Sequence, residues 1–161
     1  MLRKLTLCVA LFLGLAVASG AQLRFGAGAG YSTAGKYNAG VAAQLSLIGG
    51  LSLQSGLNFQ TKEIKVDGTT TDYSYLEVPV QLQWGMDLVM VRPYLLGEYF
   101  FGYRTSHSGS ASEGKGFENG AALGGGVDLW KLQLSAKYFV NFAKVDGKRM
   151  RGVNLSVIWF F

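Results

Sequence analysis

Cysteine is almost missing from this sequence: the 161 residues hold one, Cys8, and it falls within the first apolar stretch. A chain that sheds that stretch keeps no thiol, so disulfides and thiolate chemistry are excluded from the mature protein. Cys8 also lies too early, with no small residues ahead of it, to carry a lipid. Histidine is equally scarce, with His107 alone. One imidazole and no thiolate leave zinc or copper only an all-carboxylate site, which the spacing of the acidic residues does not suggest. Charged residues make up 16% of the chain, where a water-soluble domain carries about 25%. Yet no segment after residue 21 is an apolar run long enough for a transmembrane helix, and no 3.6-residue stripe marks an amphipathic one. A chain too apolar for water but without a membrane helix points to a barrel.

The opening, "MLRKLTLCVALFLGLAVASGAQ", reads as a secretory signal peptide. Arg3 and Lys4 form its basic end, Leu5 to Val17 its apolar run, and small residues precede cleavage after Ala18 or Ala21. Cutting after Ala21 is the favoured reading, which gives a leader at 1–21 and a single barrel domain at 22–161. An uncleaved anchor fits less well, because the apolar run falls short of the ~18 residues a span needs. Losing Arg3 and Lys4 takes the 15 basic residues to 13 against 10 acidic ones, a net charge of +3. A balance that small does not suggest nucleic-acid binding.

What the mature chain does have is alternation. Eight segments carry apolar residues at every second position: Leu23–Ser32, Tyr37–Leu47, Leu51–Thr61, Tyr73–Trp84, Val91–Tyr103, Phe117–Leu129, Leu132–Ala143 and Gly152–Phe161. Most approach or exceed the roughly 9–11 residues with which a tilted strand crosses a bilayer. Connections one, three, five and seven are polar ("TAGK", "KEIKVDGTTTD", "RTSHSGSASEGKG", "KVDGKRMR"), whereas "IGG", "GMDLVM" and "WK" between them are shorter or less charged. Long outer loops alternating with short periplasmic turns give the fold class: an all-β, eight-stranded antiparallel up-and-down transmembrane β-barrel in the cell outer membrane, with both termini periplasmic.

The second face of each strand decides which side meets lipid. It reads Arg24, Gly26, Gly28, Gly30, Ser32 on the first strand, Asn38, Gly40, Ala42, Gln44, Ser46 on the second, and Glu118, Gly120, Ala122, Gly124, Gly126, Asp128 on the sixth. A solvated outer face would be rich in Lys, Glu and Thr. Small residues with scattered polar ones suit instead the narrow interior of an eight-stranded barrel. Val41, Ala43, Leu45, Leu47, Leu76, Val78, Val80, Leu82, Leu134, Tyr138, Val140 and alternate residues from Val153 to Phe161 then face lipid. The same parity sends Arg24, Glu77, Arg92, Glu98, Asp128 and Lys137 into the lumen, with Glu118 near the outer mouth. Buried ions survive only when paired, so these predict an internal salt-bridge network that plugs the barrel. Trp84, Trp130 and Trp159 predict a periplasmic aromatic girdle, and Tyr31, Tyr37, Phe59, Tyr103, Phe117 and Phe142 an outer one.

"YLEVPVQLQWG" (Tyr75–Gly85), "VRPYLLGEYFFGY" (Val91–Tyr103), "GGGVDL" (Gly124–Leu129) and the aromatic C-terminus resemble the PorT-like outer-membrane β-barrel family, often described as porin family proteins. The resemblance covers essentially the whole mature chain. It implies an outer-membrane location and an eight-stranded meander, and little about activity. Phe161, with Trp159 and Val157 before it at every second position, looks like the signal read by the barrel-assembly machinery. Pro79 and Pro93 fit a closed ladder poorly and are read as bulge or strand-end positions.

Chemistry is harder to find. Some barrels of this size modify lipid A, and the deacylase among them uses a His-x-Ser pair. Here Gly109 occupies the position two beyond His107, and His107 falls in an expected loop. "GAGAG" (Gly26–Gly30) lies inside a strand and is no phosphate loop. Catalytic, cofactor and metal residues are therefore assigned to none. The outer connections hold Lys62, Lys65, Arg104, Lys115, Lys144, Lys148, Arg149 and Arg151, for which outer-membrane lipid and lipopolysaccharide phosphates are natural partners. The expected role is structural or interaction-based. A lipid A-modifying enzyme, a narrow ion-conducting pore and an accessory to secretion are the alternatives.

Overall fold

The computed structural model describes residues 22–66, 69–107, 116–145 and 148–161. The leader at 1–21 and Lys115 lie outside them. Eight strands follow one another: β1 (Gln22–Ser32), β2 (Gly35–Ser46), β3 (Leu51–Val66), β4 (Thr69–Gly85), β5 (Val91–His107), β6 (Phe117–Leu129), β7 (Leu132–Val145) and β8 (Lys148–Phe160). Each pairs antiparallel with its neighbour in sequence, and β8 pairs with β1 to close the ring. The closing ladder runs from Gly26 opposite Phe160 to Ser32 opposite Asn154. Two further backbone bonds extend it, from the Phe161 amide to Phe25 and from the Thr33 amide to Val153, both 2.9 Å. The greasy C-terminal strand is thus held on both sides.

Side chains sort by parity around the whole ring. Large apolar groups stand outside, with Val41 57%, Leu82 53% and Leu155 53% exposed, while Gln44, Gln83 and Gln133 are buried within. A water-soluble protein has the reverse arrangement. Hydrocarbon is the solvent such a wall suits, and closure leaves no strand edge unsatisfied within it.

Glycine solves the volume problem inside. Phe160 faces Gly26 across the ladder, Phe100 faces Gly120, Phe139 faces Gly152, and Tyr94 lies between Gly85 and Gly126. A Cβ at Gly26 would come within 2.9 Å of the Phe160 ring, and one at Gly126 within 2.5 Å of the Tyr94 hydroxyl. In each of these pairs the large inward side chain therefore occupies space that its glycine partner gives up.

Several strands outrun their expected limits. The polar segments "TKEIKV" and "TTTDY" extend β3 and β4, with Thr61 opposite Ser74 through Val66 opposite Thr69. Polarity here marks the end of the apolar wall and not of the strand, since Ile64, Val66 and Thr69–Thr71 keep β propensity. β5 likewise continues past Tyr103, β7 past Ala143, and β8 starts before Gly152. His107 is accordingly a strand-end residue opposite Tyr73 and not a loop residue. Leu47, expected to face lipid, sits past β2 ahead of a single 3-10 turn and lines a recess at the barrel mouth. Phe161 lies one residue past β8.

The prolines also differ from expectation. Pro79 lies in the middle of β4 without a register shift; the β3–β4 ladder lapses opposite Gly56 and resumes unchanged. The missing donor falls in that lapse, and the Ser55 hydroxyl donates to the Pro79 carbonyl at 2.8 Å. Pro93 stands near the start of β5, where its carbonyl accepts from the Met86 amide at 3.1 Å.

Neighbouring phenylalanines test the inside–outside assignment. Phe100 is 3% exposed in the lumen and Phe101 42% exposed on the wall. Phe100→Ala is expected to cost about 3–5 kcal/mol in reversible unfolding from lipid vesicles. Phe101→Ala should cost less than half as much, because lipid refills the space; the opposite ranking contradicts the inversion.

Candidate functional site: the lumen

Arg24 on β1 and Arg92 on β5 converge on one carboxylate, Asp128 of β6, at 2.8 and 3.1 Å. Even-numbered parity on all three strands brings them inward at one level. The second Asp128 oxygen accepts from Gln133 on β7 at 2.7 Å. Arg92 also donates to the Gly50 carbonyl at 2.7 Å and the Ser52 hydroxyl at 2.9 Å, and its Nε lies 3.2 Å from Asp87 on the mouth. Arg24 donates to Gln44 of β2, which passes the chain to Gln83 of β4 at 2.7 Å and on to Gln54 of β3 at 3.0 Å. The Arg24 guanidinium lies 4.1 Å from the centre of the Phe160 ring on β8. Every strand contributes to this disc, which crosses the lumen just inside the end that carries the tryptophans.

Outside the disc is an open recess of about 580 Å³, bordered by Leu47, Leu51, Val89, Met90 and Trp130. Beyond it on the inner side, Lys137 of β7 reaches both Glu98 oxygens at 2.6 Å. Glu77 of β4 lines the same central cavity, of about 50 Å³. Farther along, Glu118 of β6 accepts from Asn141 at 2.8 Å beside the edge-on rings of Phe100 and Phe139. The six lumen charges therefore include two ion-paired groups, Arg24–Asp128–Arg92 and Glu98–Lys137, with Glu77 lining the cavity beside the second.

Of the glutamines that connect the disc, Gln44 alone stands among the inward residues named from the sequence. Gln54, Gln83 and Gln133 share the parity of the inward charges, and that was the available signal. Asp87 could not have been found this way, because it lies in a turn.

Trp84, Trp130 and Trp159 are all exposed at the disc's end of the barrel. Trp130 lies in the β6–β7 turn with φ of 57°, a left-handed conformation uncommon for a bulky residue. Trp159 and Val157 face outward on β8. At the opposite end Tyr31 packs edge-on to Tyr37 at 5.8 Å, and Phe117 lies 6.2 Å from Phe101. Side chains of Lys62, Lys65, Arg104, His107, Lys144 and Lys148, and all of Ser108 and Gly109, lie outside the described set. Among the described residues no cluster of metal-ligating side chains occurs.

No protein-family model matches the chain, and no curated protein matches it by sequence. Among solved structures it is similar to the N-terminal β-barrel domain of Pseudomonas aeruginosa OprF, with 17% identity and a TM-score of 0.54 over 86% of this chain and 96% of that one. It is also similar to Neisserial surface protein A, with 17% identity and a TM-score of 0.53 over 88% and 96%. At that identity the likeness is one of fold: a closed eight-stranded antiparallel barrel of the outer-membrane kind.

Removing Asp128 leaves two part-buried guanidinium groups facing each other without their shared counter-ion. Asp128→Ala is expected to destabilise the barrel by about 3–5 kcal/mol, read as a lower denaturant midpoint in vesicles. Changing Arg24, Arg92 and Asp128 together to uncharged residues should recover part of that loss.

Proposed function

We propose that this chain is an outer-membrane β-barrel protein with a plugged lumen, acting structurally or through interactions at the cell exterior. The observation that carries the reading is the disc centred on Asp128, whose side chains reach across the lumen from all eight strands. A narrow interior filled in this way is a packed core and not an aqueous path. The apolar wall supports a bilayer location, and the tryptophan-rich end with short turns supports periplasmic termini. Membership of the PorT-like group is the finer assignment, resting on the motifs around Pro79 and Pro93. Phe161, Trp159 and Val157 serve in this reading as the address for the barrel-assembly machinery.

Toward the exterior, β3 and β4 continue as a two-stranded ribbon in which residues 63–66 pair with residues 69–72, past the last β2 and β5 partners at Lys62 and Tyr73. Such ribbons are natural contact surfaces for other molecules. Lipid modification is less well supported, because the lone histidine stands at a strand end without a neighbouring triad in the sequence.

Planar-bilayer recording tests the plug. The wild-type protein is expected to give no steady discrete conductance, and Asp128→Ala combined with Arg92→Ala should introduce one. A stable wild-type channel would replace this reading with that of a narrow pore. Gel mobility of the detergent-folded protein should change on boiling, and unchanged mobility counts against a barrel in membranes.

A further inference from the structure

We propose that the outer rim of β7 and β8 is a binding site for a phosphate-bearing lipid of the surrounding leaflet, held by Arg149 and Arg151. The inference rests on the membrane reading above and names one site within it. Along β8 the outward residues run Arg149, Arg151, Val153, Leu155 and Val157, all exposed. A single column of the wall thus changes from aliphatic to guanidinium at residue 152. Val140 lies opposite Arg151, and Tyr138 opposite Val153. Tyr31 on the adjoining β1 pairs with Leu155, and Phe142 on β7 is exposed on the same flank. The rings of Tyr138 and Tyr31 thus lie two and four residues along β8 from Arg151, on its apolar side; aromatic rings mark the edge of the hydrocarbon, so the two guanidinium groups stand just beyond it, where lipid phosphates lie.

Neither arginine has an ion-pair partner among the described residues. The carboxylates with described side chains lie elsewhere: Glu77, Glu98, Glu118 and Asp128 are buried in the lumen, and Asp87 is at the opposite mouth. Lumen arginines Arg24 and Arg92, by contrast, have their donors engaged. Alternate strand residues are roughly 7 Å apart along the chain, close enough for both forks to reach one phosphate or two on the same headgroup. Guanidinium suits this anion because it offers paired donors to paired oxygens. The occupant is a lipid and not free phosphate, because the apolar column beneath the arginines continues straight into the acyl region.

The test titrates phosphatidic acid into the full chain folded in zwitterionic detergent, with adducts read by native mass spectrometry. Phosphatidylcholine with the same acyl chains and inorganic phosphate form the comparison arms. Phosphatidic acid should bind, phosphatidylcholine should bind much less, and inorganic phosphate at equal concentration should not displace the lipid. The double variant Arg149→Ala/Arg151→Ala should weaken binding about thirtyfold, while Arg149→Lys/Arg151→Lys keeps most of it. Lys131→Ala, at the opposite rim, should leave binding unchanged. Equal binding by the double alanine variant, an equal loss with Lys131→Ala, or displacement by inorganic phosphate overturns the site. Loss of the boiling-dependent gel shift in the wild-type protein would instead count against the membrane reading.

Discussion

A ring of eight strands encloses a space scarcely wider than its own side chains, and this narrowness governs how residues are distributed in the barrel. An inward Phe or Tyr has room only where the strand beside it gives some up. Phe160 over Gly26, Phe100 over Gly120 and Tyr94 between Gly85 and Gly126 are that exchange made three times. Glycine in a strand weakens it locally, but here the ring on the neighbouring strand covers the bare backbone. The interior is consequently solid where aromatics meet glycines and polar where they do not.

The same narrowness sets the electrostatics. A guanidinium held away from water is tolerable only when its donors are engaged. Arg92 meets Asp128, Asp87, Ser52 and the Gly50 carbonyl, so its fork is used in several directions at once. Glutamines carry the network onward without adding charge, as Gln44, Gln83 and Gln54 do in series. Such a network contributes specificity more than net stability, since desolvation offsets much of the attraction.

Parity was the legible part of the sequence. A period of two assigns each residue to wall or lumen once the strand is found, so Arg24, Arg92, Glu98, Asp128 and Lys137 could be placed inward from sequence alone. Strand ends were less legible, because "KEIKV" and "TTTD" read as loop by polarity while pairing as strand. Lipid determines where apolar residues stop; hydrogen bonding determines where strands stop, and the two limits differ outside a bilayer. Pro79 escaped for a related reason: a ladder can omit a rung opposite Gly56 without changing register, and composition carries no trace of it. Pair identities such as Arg24 with Asp128 depend on strand stagger, which alternation leaves open.

The disc around Asp128 draws one member or more from each strand, from Arg24 on the first to Phe160 on the last. No subset of seven strands can complete it. A partly inserted chain would hold its guanidinium groups and amides with some of their counterparts still absent, and would gain the full set only as the seam between β1 and β8 joins. Maturation is thereby made cooperative along the entire polypeptide, with the final hairpin acting as the keystone that locks the circle.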